Sequence, residues 1–358
     1  MVSETDTTTI FSDTRGNSTI LFDMGGNSTI TLEDLDDAEL KLLLPTIVYM
    51  VVLSVVGMLG NSVVCNVYRT RYQLSNSQCF ILCLSVIDIF SCTVSIPLDV
   101  ITVFSPYTFK HTWLCKISRF FNALGTLSAV FLLVTIAIER YRKVCRPFGW
   151  QFKANMVKFL CGLSVIFGMV FSWPQLVIYG KQKINIPKYS LTGTECSTGD
   201  SMLETIYSAI YSAVFGFLFL VWTILLCTIY CLIHRQTQKH AKKMPNSKQA
   251  LTRKNTFVLF LVSIAFVLSY VPIVLLLIVR QLIYNFEEAM ADEGRSVYNF
   301  FLRSYFFNSA INPVIYGFCD HRFRAACKET FSRCCCARES RDVDKHMTTL
   351  SLSQPQSH

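Results

Sequence analysis

The sequence predicts an all-α membrane protein, a seven-transmembrane helix bundle with a short amphipathic eighth helix. Three observations predict it. Of 358 residues, 52% are hydrophobic and 16% charged, against about 25% charged in a soluble globular protein. Seven apolar stretches follow a polar start, each long enough to cross roughly 30 Å of hydrocarbon as a helix. Basic charge collects in alternate connections between them. The 28 Phe exclude a disordered chain, and the 15 Cys, irregularly spaced and mostly inside apolar runs, do not form a disulfide scaffold or a zinc finger.

Residues 1–42 read as an extracellular tail. Its first 41 residues hold nine acids (Glu4, Asp6, Asp13, Asp23, Glu33, Asp34, Asp36, Asp37, Glu39) against Arg15 and Lys41. The pentapeptide GNSTI occurs at 16–20 and 26–30, placing glycosylation sequons at Asn17 and Asn27. No basic segment with an apolar run begins the chain, so no cleavable signal peptide is expected. The seven spans, together 43–318, are placed at 43–68, 78–104, 115–141, 159–180, 203–233, 256–284 and 297–318. Buried helices of a large soluble protein are the rival reading, and seven such runs with few acids between them argue against it.

The connections give the orientation. The first, third and fifth carry 14 basic residues and no acid, among them Arg69, Arg142, Lys143, Arg146, Arg235 and Lys239. The sixth instead has Glu287, Glu288, Asp292 and Glu293. The odd connections and the C-terminus therefore face the cytoplasm, and the tail faces outward. The net charge of +9 marks the cytoplasmic face rather than a nucleic-acid site.

Charged groups inside a membrane span are costly and usually functional. Asp88 lies mid-span in LSVIDIF, and Asp99 follows 11 residues later. In an uninterrupted helix this puts both on one face, about 16 Å apart. Asp88 reads either as a functional carboxylate or as hydrogen-bonded glue between helices; Asp99, near the outer end, reads as functional or merely solvated. Glu139 and Arg140 form a pair at the inner boundary, either functional or snorkelling. Pro272 and Pro313 kink the sixth and seventh spans, which suggests a bundle that changes shape.

Four ordered segments carry a family resemblance: GNSVVCNVY with Asn61, LSVIDIF with Asp88, ERYRKVCRPF with Arg140, and NPVIY with Asn312, Pro313 and Tyr316. Over residues 43–335 the chain resembles a rhodopsin-like (class A) G-protein-coupled receptor, most similar in character to the neuropeptide receptors. The resemblance implies a switch made of Glu139, Arg140, Tyr141, Tyr230, Phe266, Tyr270, Pro272, Asn312, Pro313 and Tyr316. In it, Arg140 is restrained at rest and meets a heterotrimeric G protein when helix six swings out. It further implies a Cys115–Cys196 disulfide and an allosteric sodium ion at Asp88, Asn308, Ser309 and Asn312, with no other cofactor. The chain departs from the family pattern with Ala129 for a serine ligand, Tyr270 for a tryptophan and Ser269 for a cysteine. Trp222 replaces a proline, and helix four lacks its common mid-helix tryptophan.

Residues 319–336 read as an amphipathic helix on the inner membrane surface, with Phe318, Phe323, Cys327 and Phe331 opposed to Arg322, Arg324, Lys328 and Arg333. Cys334, Cys335 and Cys336 read as palmitoylation acceptors. The cytoplasmic tail, 337–358, holds Thr348, Thr349, Ser351, Ser353 and Ser357, candidate sites for a receptor kinase and arrestin.

The ligand-site expectation comprises Asp99, Asn122, Tyr207, Tyr211, Arg280, Gln281 and Arg303. Asn122 stands where the amine receptors carry Asp, and Phe306 where opsins carry the retinal Lys. A peptide suits this mixed charge and aromatic content; a lipid or amine is the alternative ligand. Arg303 is out of helical phase with Asn308. The long second outer connection, basic at Lys181, Lys183 and Lys188, is expected to form a hairpin lid. Absence of an internal helical repeat argues against a transporter, and absence of H-E-x-x-H or G-x-S-x-G argues against an enzyme. The expected location is the plasma membrane.

Overall fold

The computed structural model describes residues 10–12, 18–20, 30–69, 74–203, 205–243, 247–283, 290–320, 323–330 and 332. Asn17, Asn27, Arg322, Phe331, Arg333, Cys334, Cys335, Cys336 and the tail serines and threonines lie outside the described residues, as does the side chain of Gln281. A short antiparallel pair, β1 (Ile10–Ser12) and β2 (Ser18–Ile20), precedes the helices.

Helix one runs Leu32–Arg69, so the polar tail ends well before the expected residue 42. The start is locally encoded. Thr31 Oγ1 accepts from the Asp34 amide (3.2 Å), and the Thr31 amide donates to Asp34 Oδ2 (2.8 Å), a reciprocal cap at three-residue spacing. Asp36 and Glu39 of the first turns are held by partners from elsewhere in the chain. The Tyr107 amide donates to Asp36 Oδ1 at 2.6 Å, and Arg295 Nη1 to Glu39 Oε2 at 2.9 Å.

Helix two covers Asn76–Phe90, passes through a π turn at Ser91–Ser95 and continues as Ile96–Val103. Ser75 and Gln78 form its capping box. Within the π turn the Cys92 carbonyl accepts from Ser54 Oγ of helix one, 2.6 Å away. The premise of an uninterrupted helix between Asp88 and Asp99 therefore fails, because a π turn resets the phase.

Helix three is Thr112–Cys145. Helix four is Ala154–Ser172, followed by one turn at Gln175–Ile178. Its expected last residues, Tyr179 and Gly180, instead begin strand β3 (Tyr179–Ile186), which pairs antiparallel with β4 (Leu191–Thr198). This is the expected hairpin, with Ser190 in the left-handed region at φ 51° in its turn. Helices five and six, Ile206–Lys243 and Ser247–Leu282, run through most of the stretch expected as the fifth connection.

The seventh crossing is two pieces, Asp292–Leu302 and Phe307–Cys319, joined by a 3-10 turn at Ser304–Phe306. Among the described residues six helices are individually long and apolar enough to cross a membrane; the seventh crossing is assembled across its break. A final helix spans 323–330, with Phe323 buried against Tyr68 and Tyr316. Phe318, expected on that helix's apolar face, belongs to helix seven and is exposed.

Helix three is the axis of the bundle. Its apolar stretch is 67% buried, against 17% for helix five. The core around it includes Phe80, Leu84, Leu132, Ile136, Val262, Phe266 and Tyr316. Phe217, Leu220, Ile224, Leu268 and Leu275 point outward, as expected where hydrocarbon replaces water. Two glycines permit the tightest contacts. A Cβ on Gly57 would lie 2.3 Å from Cys92 Sγ, and one on Gly168 would lie 2.8 Å from the Leu124 carbonyl.

Candidate functional site

Three polar layers are stacked along helix three, and the sequence places each by a residue facing the bundle axis. The first lies at the hairpin end. Asp99 is completely buried, which corrects the reading of it as solvated. Its Oδ1 accepts from Arg119 Nη1 and Asn122 Nδ2, both at 3.3 Å, and its Oδ2 accepts from Arg303 Nε at 3.0 Å. Arg303 Nη1 also donates to the carbonyl (3.2 Å) and Oδ1 (2.9 Å) of Asn299. The poor phase expected for Arg303 disappears because the helix ends at that residue, with φ −108° and ψ 11°. The break turns its side chain inward. One carboxylate thus joins helices two, three and seven.

The hairpin covers this layer. Cys115, at the start of helix three, is bonded to Cys196 of β4 with a Cα–Cα distance of 5.4 Å, and the ring of Tyr179 lies under the Arg119 guanidinium. Thr194 of β4 exchanges backbone hydrogen bonds with Tyr107 and Phe109. Tyr107 also donates from its hydroxyl to Glu39 (3.3 Å). Burial, with Glu39 beside it, pushes the Tyr107 phenol up to about 12, so it remains a donor at neutral pH.

The middle layer is a small polar cavity lined by Asp88, Asn122, Thr126, Ala129, Tyr270 and Asn308, among others. Asp88 Oδ2 accepts from Asn312 Nδ2 at 2.7 Å. Asn312 precedes the proline whose missing N–H would have satisfied the Ser309 carbonyl. Asn61 Nδ2 donates to that carbonyl instead, at 2.8 Å, locking helix one to helix seven. Tyr270 shares a hydrogen bond with Thr126 (2.8 Å) and stacks on Phe266 at 4.5 Å. The buried Asn308 Oδ1 and Asn312 Oδ1 have no protein partner. With the Asp88 carboxylate and the Ser309 hydroxyl they form an oxygen set of the kind hard cations prefer, so these residues fit a sodium ion although Ala129 contributes no oxygen.

The third layer lies at the other end of helix three. Arg140 is 1% exposed and pairs with Glu139 Oε2 at 2.5 Å; it also donates to Ser77 Oγ. Lys143 stands 3.8 Å from the second Glu139 oxygen. Across from them Tyr230 donates to the Leu259 carbonyl (3.2 Å) and accepts from Ser263 Oγ (3.1 Å), which holds helix six against helix five. Tyr141 packs with Leu226 and Tyr230, and Tyr316 is fully buried beside Phe323.

Of the expected ligand residues the structure unites Asp99, Asn122 and Arg303. Tyr211 instead fastens helix five to helix four, donating to the Phe171 carbonyl and accepting from Gln175, each at 3.2 Å. Tyr207 is 67% exposed, and Arg280 is exposed near the end of helix six. Sequence reasoning missed Arg119, although a cation three residues before Asn122 within a span was the available signal. It also missed Ser77 and Phe148. Phe148 is fully exposed in the RPFGW segment, which is braced by Arg142 donating from Nε to the Trp150 carbonyl (2.7 Å) and by Gln151 donating to the Arg146 carbonyl (2.9 Å).

The family model described as 7 transmembrane receptor (rhodopsin family) matches residues 60–316. The neuromedin-U receptor 2 of Mus musculus is 26% identical over 305 residues, covering 82% of this chain and 76% of that protein. The neuropeptide FF receptor 2 of Rattus norvegicus is 24% identical over 302 residues, covering 77% and 70%. The neuropeptide Y receptor type 6 of Oryctolagus cuniculus is 25% identical over 319 residues, covering 85% and 84%.

Proposed function

The chain belongs to the rhodopsin family of seven-transmembrane receptors, and on that premise we propose that it binds an extracellular peptide at the hairpin end and activates heterotrimeric G proteins at the Arg140 end. One observation carries the reading. Helix three presents buried, partnered polar residues at both ends, with a polar cavity between them. A ligand that favours one arrangement of this column shifts the population at its far end. The names of the similar receptors support a peptide, as do the mixed charges around Asp99 and the absence of a carboxylate at Asn122.

The 14 basic residues of the odd connections support placing the Arg140 end in the cytoplasm and the hairpin outside, at the plasma membrane. In this orientation Phe148 is presented to the cytoplasm and serves as an apolar contact for the G protein. Helix six pivots at Pro272, and its departure breaks the Tyr230 latch and exposes Arg140. Asp88, Asn308, Ser309 and Asn312 would hold a sodium ion, whose positive charge would stabilise the packed cavity when bound. The chain's own share is to orient those oxygens through the Asn61 and Asn312 hydrogen bonds. Glycosylation at Asn17 and Asn27, palmitoylation at Cys334, Cys335 and Cys336, and tail phosphorylation leading to arrestin complete the proposal.

The test needs no ligand. Nucleotide exchange on purified G protein is measured with the receptor in lipid nanodiscs. Glu139→Gln should raise ligand-free exchange by about tenfold, corresponding to ~1.4 kcal/mol between the two packings. Arg140→Ala should abolish exchange. Normal exchange by the Arg140→Ala receptor refutes the coupling role.

A further inference from the structure

The Asp99 layer contains more donors than its carboxylate can serve. Two guanidiniums carry ten N–H bonds between them, following from five per arginine, and the Asn122 amide adds to these. Arg303 is well engaged, through Nε to Asp99 and Nη1 to Asn299. Arg119 is not. Its hydrogen bond to Asp99 is a single long one at 3.3 Å, and its Nε is buried without a partner. The Asn122 contact is equally long.

Access follows the same asymmetry. The Asp99 side chain is 0% exposed and that of Arg303 10%, whereas that of Arg119 is 25% exposed. Arg119 is therefore the most exposed of the three charged groups and the one with spare donors. Glu195 of β4 and the rings of Tyr179 and Tyr305 are its other electrostatic neighbours, and Glu195 is only partly buried. Asn122 and Tyr305 also line the central cavity.

We infer that Arg119, with Asn122, accepts a carboxylate of the ligand, which takes the place of Asp99 and leaves Asp99 to Arg303 alone. Paired, nearly parallel N–H donors of a guanidinium match the two oxygens of a carboxylate, and such charge-assisted bonds are the strong ones. The exchange separates helix two from helix three while keeping helix two on helix seven. The outer ends of the bundle thereby acquire a second arrangement. The inference deepens the receptor reading and rests on it. The carboxylate is the free C-terminus of a peptide or belongs to a small organic acid; the chemistry at Arg119 is the same for both.

The experiment uses the full-length receptor in lipid nanodiscs and follows its thermal unfolding midpoint. The probes are N-acetyl-Phe-Phe as the free acid, the same dipeptide as its carboxamide, hexanoate, and N-acetylarginine amide. The acid should bind about tenfold or more tightly than the carboxamide, a difference of ~1.4 kcal/mol. Arg119→Gln should erase that preference, and Arg119→Lys should retain part of it. If Arg119→Gln fails to fold, the acid-to-amide ratio of the unaltered receptor and the Arg119→Lys result decide. A shift with hexanoate supports the site as one for small organic acids, and a shift with the dipeptide acid alone supports it as a peptide C-terminus site. Equal binding of acid and carboxamide overturns the inference. So does a shift with the arginine amide alone, or no shift with any probe at millimolar concentration. Because the readout is binding without G protein, a negative result here leaves the nucleotide-exchange test of the receptor reading standing.

Discussion

The two ends of helix three solve one electrostatic problem in opposite ways. Each buries a carboxylate beside two cations: Asp99 with Arg119 and Arg303, Glu139 with Arg140 and Lys143. At the Arg140 end the surplus cation, Lys143, has 46% of its side chain in the open, where the surroundings solvate it. The arginine itself is buried, with close contacts from one Nη to Glu139 and Ser77 and its Nε unpartnered. At the hairpin end all three charged groups are largely buried and two of the three bonds to Asp99 are stretched to 3.3 Å. Both ends leave a buried guanidinium Nε without a partner, but the contacts of Arg140 are short whereas two of the three bonds to Asp99 are long. Charge count alone therefore does not describe either cluster. Bond lengths, and which ion is exposed, do.

The largest effect should come from Asp99→Asn. Removing one partner of a buried ionic cluster leaves charges uncompensated and typically costs about 3–5 kcal/mol. Here two arginines would face each other, so the thermal midpoint should fall sharply. An unchanged midpoint would mean the outer layer is solvated and would erase the contrast.

Next is Cys115→Ser. The bond to Cys196 holds the hairpin over the Asp99 layer, and a disulfide of this kind contributes about 2–4 kcal/mol. Surface expression should drop while ligand-free nucleotide exchange per folded receptor stays near normal. A selective loss of exchange instead would tie the two ends more tightly than described here.

Smaller still is Tyr230→Phe. It removes the hydroxyl that bonds the Leu259 carbonyl and Ser263, a net hydrogen-bond contribution of about 0.5–1.5 kcal/mol. Ligand-free exchange should rise severalfold, with acid binding at the hairpin end unaltered. Phe148→Ala is the mildest for folding, because the ring is fully exposed. Its thermal midpoint should be unchanged, and its rate of agonist-independent exchange should fall. An unaltered rate would remove Phe148 from the coupling surface.

Much of this molecule is legible in its sequence. Hydrocarbon demands continuous apolar helices, so the seven spans, the axial positions of Asp88 and Arg140, and the Cys115–Cys196 pairing expected from the family resemblance all reappear in the fold. Local chemistry held further signals that were there to be read: Thr31 with Asp34, and Ser75 with Gln78, mark helix starts earlier than the apolar runs do.

Other features were decided by tertiary structure, and each has a physical cause. Periodicity gives side-chain direction only while a helix is regular, and it fails across the π turn at Ser91–Ser95 and the break at Arg303. Those two interruptions, one on each side of helix three, are what aim Asp99 and Arg303 at each other and at Arg119. Likewise Asp36 and Glu39 looked like part of a polar tail until Tyr107, Thr108 and Arg295 supplied partners from distant parts of the chain. Apolar run length and charge placement are enough to find the membrane spans and the charges too costly to be accidental there. Only the packed structure decided which charge meets which, because that depends on helix phase beyond an irregularity and on partners up to 256 residues away.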